Sequence, residues 1–428
     1  MSHDGGMDPQ PRDAELYLRA GRSTFLRIKL DVLYNNISIL KQRCSQQTDV
    51  IAVVKANAYG HGSVEISRYL ESRGVGHFAV ATPEEGAQLR QAGIQGHILV
   101  LGNAVEDDIA TLMKYELTPT VAELKFLQAW HKAITKDSVS NNSVANDINS
   151  SNNSGERVRD RHQVVLKIDT GMSRNGCQPH DVPFLTEFCQ THGLTIHSVM
   201  THFSQAWDNP YFTKQQLNTF MTLVEPFRAS GVKVHVANSA AIIRGFGTQL
   251  DFIRPGICMY GLPPDPSQDT AELVESLGLR PVLSWQARPT LIKQLPQGRV
   301  VGYDNTYTTR STETIATFSL GYADGYNRLL SDRGVVSVDE DGLQLPVVGR
   351  VSMDAITVLL DKPRSSSTTF NIITDDFASP NSVTKMAATL GTIPYEVTTS
   401  LASRLPRVFV SGGHFVAITK SLMKDGRL

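Results

Sequence analysis

Cysteine is scarce in this chain of 428 residues. The four present, Cys44, Cys177, Cys189 and Cys258, form no C-x-x-C pair and show no metal-ligand spacing. That excludes a disulfide framework and a zinc module, and no metal is expected. Long apolar runs are missing as well: none approaches the roughly 18 residues that span a bilayer. Residues 1–22 lack the apolar core of a secretory signal and read as a polar, disordered arm. An excess of either charge is also absent, since 41 Lys and Arg stand against 42 Asp and Glu, a net charge of −1. So even a balance argues against a nucleic-acid or membrane-surface partner. What is left is a cytoplasmic protein with buried thiols, long enough that two domains are expected.

The stretch that organises the chain is Val50–Gly62, VIAVVKANAYGHG. Residues 50–54 are β-branched and apolar, the composition of a strand buried on both faces. Lys55 ends that strand, a tight loop runs to Gly62, and Ile66, Tyr69 and Leu70 mark an amphipathic helix. The C-terminal end of a buried strand is where α/β proteins place their chemistry. A partly desolvated lysine there has a lowered pKa and serves as a nucleophile or forms a Schiff base. A lysine snorkelling out of a strand end is the commoner use of the residue, so Lys55 needs support from elsewhere.

Strand-like runs recur at 50–55, 77–81, 97–101, 117–120, 163–168, 195–201, 233–237 and 251–254. Helix-like segments such as Pro83–Gln91, Val105–Tyr115, Val121–Ala133 and Thr213–Arg228 separate most of them. Strands alternating with helices in this way predict an α/β fold, a parallel (β/α)8 TIM-like barrel. Asp31–Leu40 has a helical pattern with Asp31 as its cap, and strand 25–30 is left over. Later the rhythm changes to period-two runs at Val282–Ile292, Glu313–Ser319, Val335–Val338, Leu345–Leu359 and Phe370–Ile373, with a helix at Val383–Leu390. This predicts a mostly antiparallel β domain, which strand 25–30 joins. The expected division is a barrel over 23–268 and a β domain over 269–428. Residues 138–155, almost wholly Ser, Asn and small polar residues, read as a solvated insertion in a surface loop.

Reading the strand ends of the barrel gives Lys55, then Lys167 with Asp169 to Arg174, His202, Asn238-Ser239, and Arg254 to Ile257. A cationic, hydrogen-bonding ring around one lysine suits an anionic cofactor and a carboxylate substrate. Each member has an ordinary alternative. A histidine after a strand, as His202 is, serves more often as a satisfied polar group than as a catalyst; Asp169–Gly171 also reads as a turn, Ser239 as a helix N-cap, and Arg254 as a structural ion pair. Their common location at successive strand ends favours a site.

The string VVKANAYGHG resembles the cofactor-lysine segment of the alanine racemases, pyridoxal-phosphate enzymes of fold type III. KIDTGMSRNG (167–176), THF (201–203), ANSA (237–240), RPGICMYGL (254–262), VGYDNTY (301–307), GYADGY (321–326) and GRVSMDA (349–355) are similar to further motifs of that family, in its order. The resemblance implies interconversion of L- and D-alanine, with D-alanine feeding peptidoglycan precursors, and pyridoxal 5′-phosphate bonded covalently to Lys55. It implies that Tyr59, Ser239 and the amides of Gly256 and Ile257 hold the phosphate, that His202 lies near the ring, and that Arg254 faces the ring nitrogen. It puts Arg174 by the phenolic oxygen and the substrate carboxylate, beside a Lys167 that is carbamylated.

Racemisation needs acid/base groups on opposite faces of one Cα. The resemblance makes these Lys55, acting on D-alanine, and Tyr303, acting on L-alanine. It places Tyr303, the Met353 amide and Asp354 in a second subunit's site, giving a head-to-tail homodimer, with Tyr322 and Arg328 lining the substrate entrance. One departure stands out: Ser403 occupies a position where many members carry tyrosine, which keeps a broader, serine-accepting racemase in view. A basic-amino-acid decarboxylase would need a β-domain cysteine, and none follows Cys258. A non-catalytic pyridoxal-phosphate-binding barrel would lack the β domain altogether.

Overall fold

The computed structural model describes residues 13–144 and 162–420. They divide into two compact units, Leu40–Ala58 with Ile66–Gly256, and the residues up to Ile39 with Tyr59–Glu65 and those from Ile257 on. The first strand, β1 (Thr24–Lys29), belongs to the latter.

In the barrel unit, β2 (Asp49–Val53), β3 (His77–Val80), β4 (His97–Asn103), β5 (Thr118–Val121), β6 (Gln163–Lys167), β7 (Thr195–Met200), β8 (Lys233–His235) and β9 (Phe252–Ile253) close in chain order. Every neighbouring pair is parallel, and β2 meets β9 through Asp49↔Phe252 and Val50↔Ile253. The α/β barrel read from the sequence is therefore the fold observed. Its strands are legible because both faces are covered, so Ile51, Ala52, Val164, Val165 and Val199 are all buried. Helix Pro83–Gln91 starts where its chemistry says, with Thr82 as cap and Pro83 in the first turn.

Two expectations for this part of the chain shift. The helix expected to stop at Ala133 runs Leu124–Val144. Phe126, Leu127, Trp130 and Ile134 form a buried stripe, and no Gly or Pro among residues 134–144 breaks it. The polar insertion therefore begins as helix, and residues 145–155 of it lie outside the described residues. Asp31 sits within the first turn of Leu30–Gln42 instead of capping it.

The β unit contains a seven-stranded sheet in the order β16-β15-β18-β10-β1-β19-β20, with β10 Leu283–Ala287, β15 Val335–Val338, β16 Gln344–Pro346, β18 Phe370–Ile373, β19 Arg407–Ser411 and β20 His414–Thr419. β1 lies antiparallel to β10 and parallel to β19. A three-stranded sheet joins β11 (Leu291–Leu295), β14 (Glu313–Phe318) and β17 (Ile356–Leu360), and β12 (Val300–Val301) pairs with β13 (Tyr307–Thr308). The single run expected over Val282–Ile292 is two strands in two sheets. Pro289, which has no N–H to give a ladder, stands at the crossing. The run expected over Leu345–Leu359 likewise divides between β16 and β17.

The arm expected over residues 1–22 is also corrected within the described residues. Asp13–Ala20 is a helix whose Leu16, Tyr17 and Ala20 are buried with Phe25, Val408 and Val410. A stripe this short carries no signal alone; β1 and β19 supply the apolar surface that makes it worth burying.

Candidate active site

Beyond β2 the chain is tied to its neighbours, Val53 donating to the Pro255 carbonyl (3.2 Å) and Val54 to that of Ala79 (2.9 Å). Lys55 follows, and then Ala56, Asn57, Ala58 and Tyr59 all take positive φ, between 51° and 54°. The tight loop read from sequence is thus a left-handed turn, costing about 1–2 kcal/mol per non-glycine residue. Such a conformation persists where its surroundings over-determine it. Ala56 donates to Glu85 Oε1 at 2.6 Å. A bond to a charged acceptor is worth about 1.5–3 kcal/mol, enough to offset the strain at one residue.

Around the barrel's C-terminal mouth the structure gathers Lys55, Lys167, Arg174, His202 and Arg254 closely enough that their charges act on one another. Desolvation first, then Arg174, lowers the Lys55 pKa, and Glu85 opposes them. Burial, with Arg254, Arg174 and Lys55, brings buried Lys167 down to about 8. His202 is held well below the ordinary imidazole range by desolvation and then Arg254, so it is neutral. The β6–β7 side is built by Asp169. One of its oxygens, Oδ1, accepts from Gly171, Met172 and Ser173, each at 3.0 Å, and so shapes the loop that carries Arg174.

Arg254 is buried and, among the described residues, pairs with no carboxylate; the structural ion pair allowed by the sequence is not found. It donates through Nη1 to His235 Nδ1 (2.6 Å) and through Nη2 to the carbonyls of Thr201 (2.8 Å) and Val236 (3.0 Å), with His202 Nδ1 3.3 Å away. None of these bonds uses its Nε–H. Burial lowers its pKa to about 9, which still leaves a cation at neutral pH.

Ser239 does not cap the helix Ser239–Arg244. Asn238 does, its side chain accepting from Ala241 at 3.0 Å. That leaves Ser239 Oγ to accept from the Gly256 N–H at 2.9 Å, so this amide is engaged by the serine.

Within the β unit, Tyr59 is buried, with its ring 5.1 Å from that of Tyr260 and 5.9 Å from that of Tyr395. The turn after it is fixed by Gly60 (φ +85°), where a Cβ would lie 2.0 Å from the Thr398 carbonyl oxygen, and by Arg407 donating to the Gly60 carbonyl at 2.8 Å. Ile257 is buried at the start of the 3-10 turn Ile257–Tyr260. The other sequence candidates form a surface group. Tyr303 is 71% exposed, Met353 53% and Tyr322 42%, high values for such side chains. Asp304, next to Tyr303, meets Arg350 (3.2 Å) and Arg328 (3.8 Å). Asp354 accepts from Arg404 (2.7 Å), which also grips the fully buried Asp324 together with Arg22.

The sequence reading passes over Glu85 and His235. His235 is hidden inside an apolar strand run, and Thr82-Pro-Glu-Glu85 reads as nothing more than a helix start. The donor set at the barrel mouth fits pyridoxal phosphate. Its cations outnumber its two carboxylates, Glu85 and Asp169, which are already committed to backbone N–H groups. An anion is what such a set lacks.

Alanine racemase domain models match residues 28–264 (N-terminal domain) and 282–409 (C-terminal domain). The chain belongs to the alanine racemase family. The alanine racemase of Carboxydothermus hydrogenoformans is 34% identical over 395 residues, covering 91% of this chain and 100% of that relative. The solved alanine racemase of Clostridium difficile 630 superposes with a TM-score of 0.80 at 30% identity, covering 94% of this chain and 99% of that one. That of Bartonella henselae, solved with covalently bound pyridoxal phosphate, gives 0.73 at 26% identity, covering 91% and 99%. The chain is accordingly an enzyme, an alanine racemase, of a family that depends on pyridoxal phosphate. The match over 282–409 disfavours a barrel-only binding protein, and the decarboxylase reading has no support. Among the described residues no helix is long and apolar enough to cross a membrane, and no cluster of side chains fits a metal ion.

Proposed function

We propose that this chain interconverts L- and D-alanine with Lys55 and Tyr303 as its two acid/base groups, in a head-to-tail homodimer whose product supplies peptidoglycan precursors. Lys55 would hold pyridoxal phosphate covalently. Tyr59, the Ser239 hydroxyl and the Ile257 amide would take its phosphate; the Gly256 amide, expected to join them, donates to Ser239 Oγ instead and would hold that hydroxyl in place. Arg254 would face the ring nitrogen. When bound, the cofactor supplies a conjugated ring that delocalises the electron pair left at Cα.

The chain's own residues do the rest. Lys55 Nζ, its pKa lowered by burial and Arg174, takes or returns the α proton on the D side. Tyr303 Oη, contributed by a second copy of the chain, does so on the other face. Arg254 keeps its proton and has no acceptor to offer, so toward the ring nitrogen it would present only an N–H donor. Arg174 and the Met353 amide orient the substrate carboxylate, and Asp354, paired with Arg404, supports the segment that carries Met353. Tyr322 and Arg328 line the way in.

The observation that carries this reading is the combination of a depressed lysine among cations with a tyrosine left 71% exposed. Cα proton–deuterium exchange of each alanine enantiomer in D2O, read chirally, tests it. Tyr303→Phe is expected to lose exchange chiefly from L-alanine while retaining the cofactor. Equal loss from both enantiomers would remove Tyr303 from its role.

A further inference from the structure

The turn behind Lys55, closed by the Ala58 N–H on the Val54 carbonyl (2.8 Å), is also held by a carboxylate that belongs, by its position, to another task. Thr82 caps the helix Pro83–Gln91, its hydroxyl accepting from the Glu85 N–H. A glutamate at that position of a capping box returns its side chain to the cap residue's own N–H. Glu85 reaches elsewhere. Its Oε2 accepts from Ala81 at 2.7 Å, and its Oε1 accepts from Ala56 at 2.6 Å. Ala81 lies directly after β3, and Ala56 directly after Lys55. One carboxylate therefore ties together two adjacent strand ends, and it does so at the first residue of the left-handed turn, where φ becomes +51°.

The charges that act at this point are uneven. Lys55 faces Arg174 from the β6 side, and Lys167 and neutral His202 share the same field. Against them Glu85 is the carboxylate that acts on Lys55, while Asp169 acts on Lys167.

We infer that Glu85 is a positioning residue for Lys55: by tying Ala56 to Ala81 it fixes the turn that aims the amine, and it sets a negative charge beside that amine. The inference rests on Lys55 being the cofactor lysine. Capping accounts for neither contact, because a capping glutamate returns to the cap residue's own N–H, here that of Thr82, and not to Ala81 or to Ala56 beyond the neighbouring strand β2.

Two substitutions separate the parts. Glu85→Gln keeps length and removes charge, whereas Glu85→Asp keeps charge and is too short to reach both N–H groups. In the full-length chain stripped of cofactor with hydroxylamine, acetylation of Lys55 by a succinimidyl ester is followed across a graded pH series by peptide mass spectrometry. Glu85→Gln should lower the midpoint by about one pH unit. Glu85→Asp should keep the wild-type midpoint yet recover visible cofactor absorbance about ten-fold more slowly on reloading. A glutamate that merely stabilised the helix would leave the midpoint in place, and an unmoved midpoint in Glu85→Gln overturns the inference. Borohydride trapping of the loaded wild type runs alongside. A label on any lysine other than Lys55 would sink the cofactor assignment itself, a result the midpoint series cannot mimic.

Discussion

Arg254 donates to Nδ1 of His235 across 2.6 Å. Arginine has no acceptor to offer, so Nδ1 must accept and the imidazole must be neutral, with its proton on Nε2. Nε2 lies 3.2 Å from Ser198 Oγ, which is 3.3 Å from His197 Nδ1, whose ring stacks on His97 at 4.4 Å. A file of neutral histidines thus runs along the barrel interior to the arginine of the site.

This file makes the barrel acid-sensitive. Burial lowers the pKa of His77, His97, His202 and His235 and brings His197 down to about 4. The unfolded chain, with histidines near 6.5, binds protons that the folded barrel refuses, so stability is fully present above about pH 6.5 and is lost as pH falls below it. Each unit of depression realised is worth about 1.4 kcal/mol. Urea midpoints measured on either side of the histidine range should fall on the acid side, and His197→Gln should flatten that slope. A pH-independent midpoint would contradict the neutral file.

Lys55→Ala and Tyr303→Phe should each lower alanine racemisation by at least about 10²-fold, since each removes a general acid/base. Mixed and reassembled, the two inactive variants should regain activity, because a heterodimer pairs an intact Lys55 with an intact Tyr303 in one of its sites. Mixing that restores nothing would count against shared sites.

Ser239→Ala should weaken cofactor retention by about ten-fold and also lower stability. The change leaves the buried Gly256 N–H without its acceptor, a penalty of about 1–3 kcal/mol. Cofactor fluorescence during dialysis measures the first effect and thermal unfolding the second. Undiminished retention would separate Ser239 from the phosphate.

Lys167, with a pKa of about 8 beside Arg174 and Arg254, holds a reactive fraction of neutral amine near neutrality. Addition to carbon dioxide, with release of a proton, would convert it into an anion that orients Arg174. Intact mass in bicarbonate should carry one carbamate at Lys167 that acid removes. A free amine under those conditions argues against the modification.

By the resemblance in its motifs, the chain has Ser403 in place of a tyrosine, so a measurable turnover of serine is expected, reduced by Ser403→Tyr. Chiral chromatography of serine incubated with each form decides it. No serine turnover in the wild type would mean that the tyrosine is not what excludes larger side chains.

The alternation of strands and helices, the place of Lys55 at a strand end and several element boundaries follow from the sequence alone. Each depends on a period or a turn residue that a short window contains. Pro83–Gln91, Val335–Val338, Phe370–Ile373 and Val383–Leu390 are found with the bounds expected. The tertiary structure decided the relationships whose partners are remote. It set β1 between β10 and β19, made a helix of Asp13–Ala20, gave the cap to Asn238 so that Ser239 could meet Gly256, and turned Glu85 toward Ala56. Periodicity reports which face a residue presents. It carries no information about which distant N–H or apolar surface the fold will bring to that face, and at this site those distant groups set the geometry.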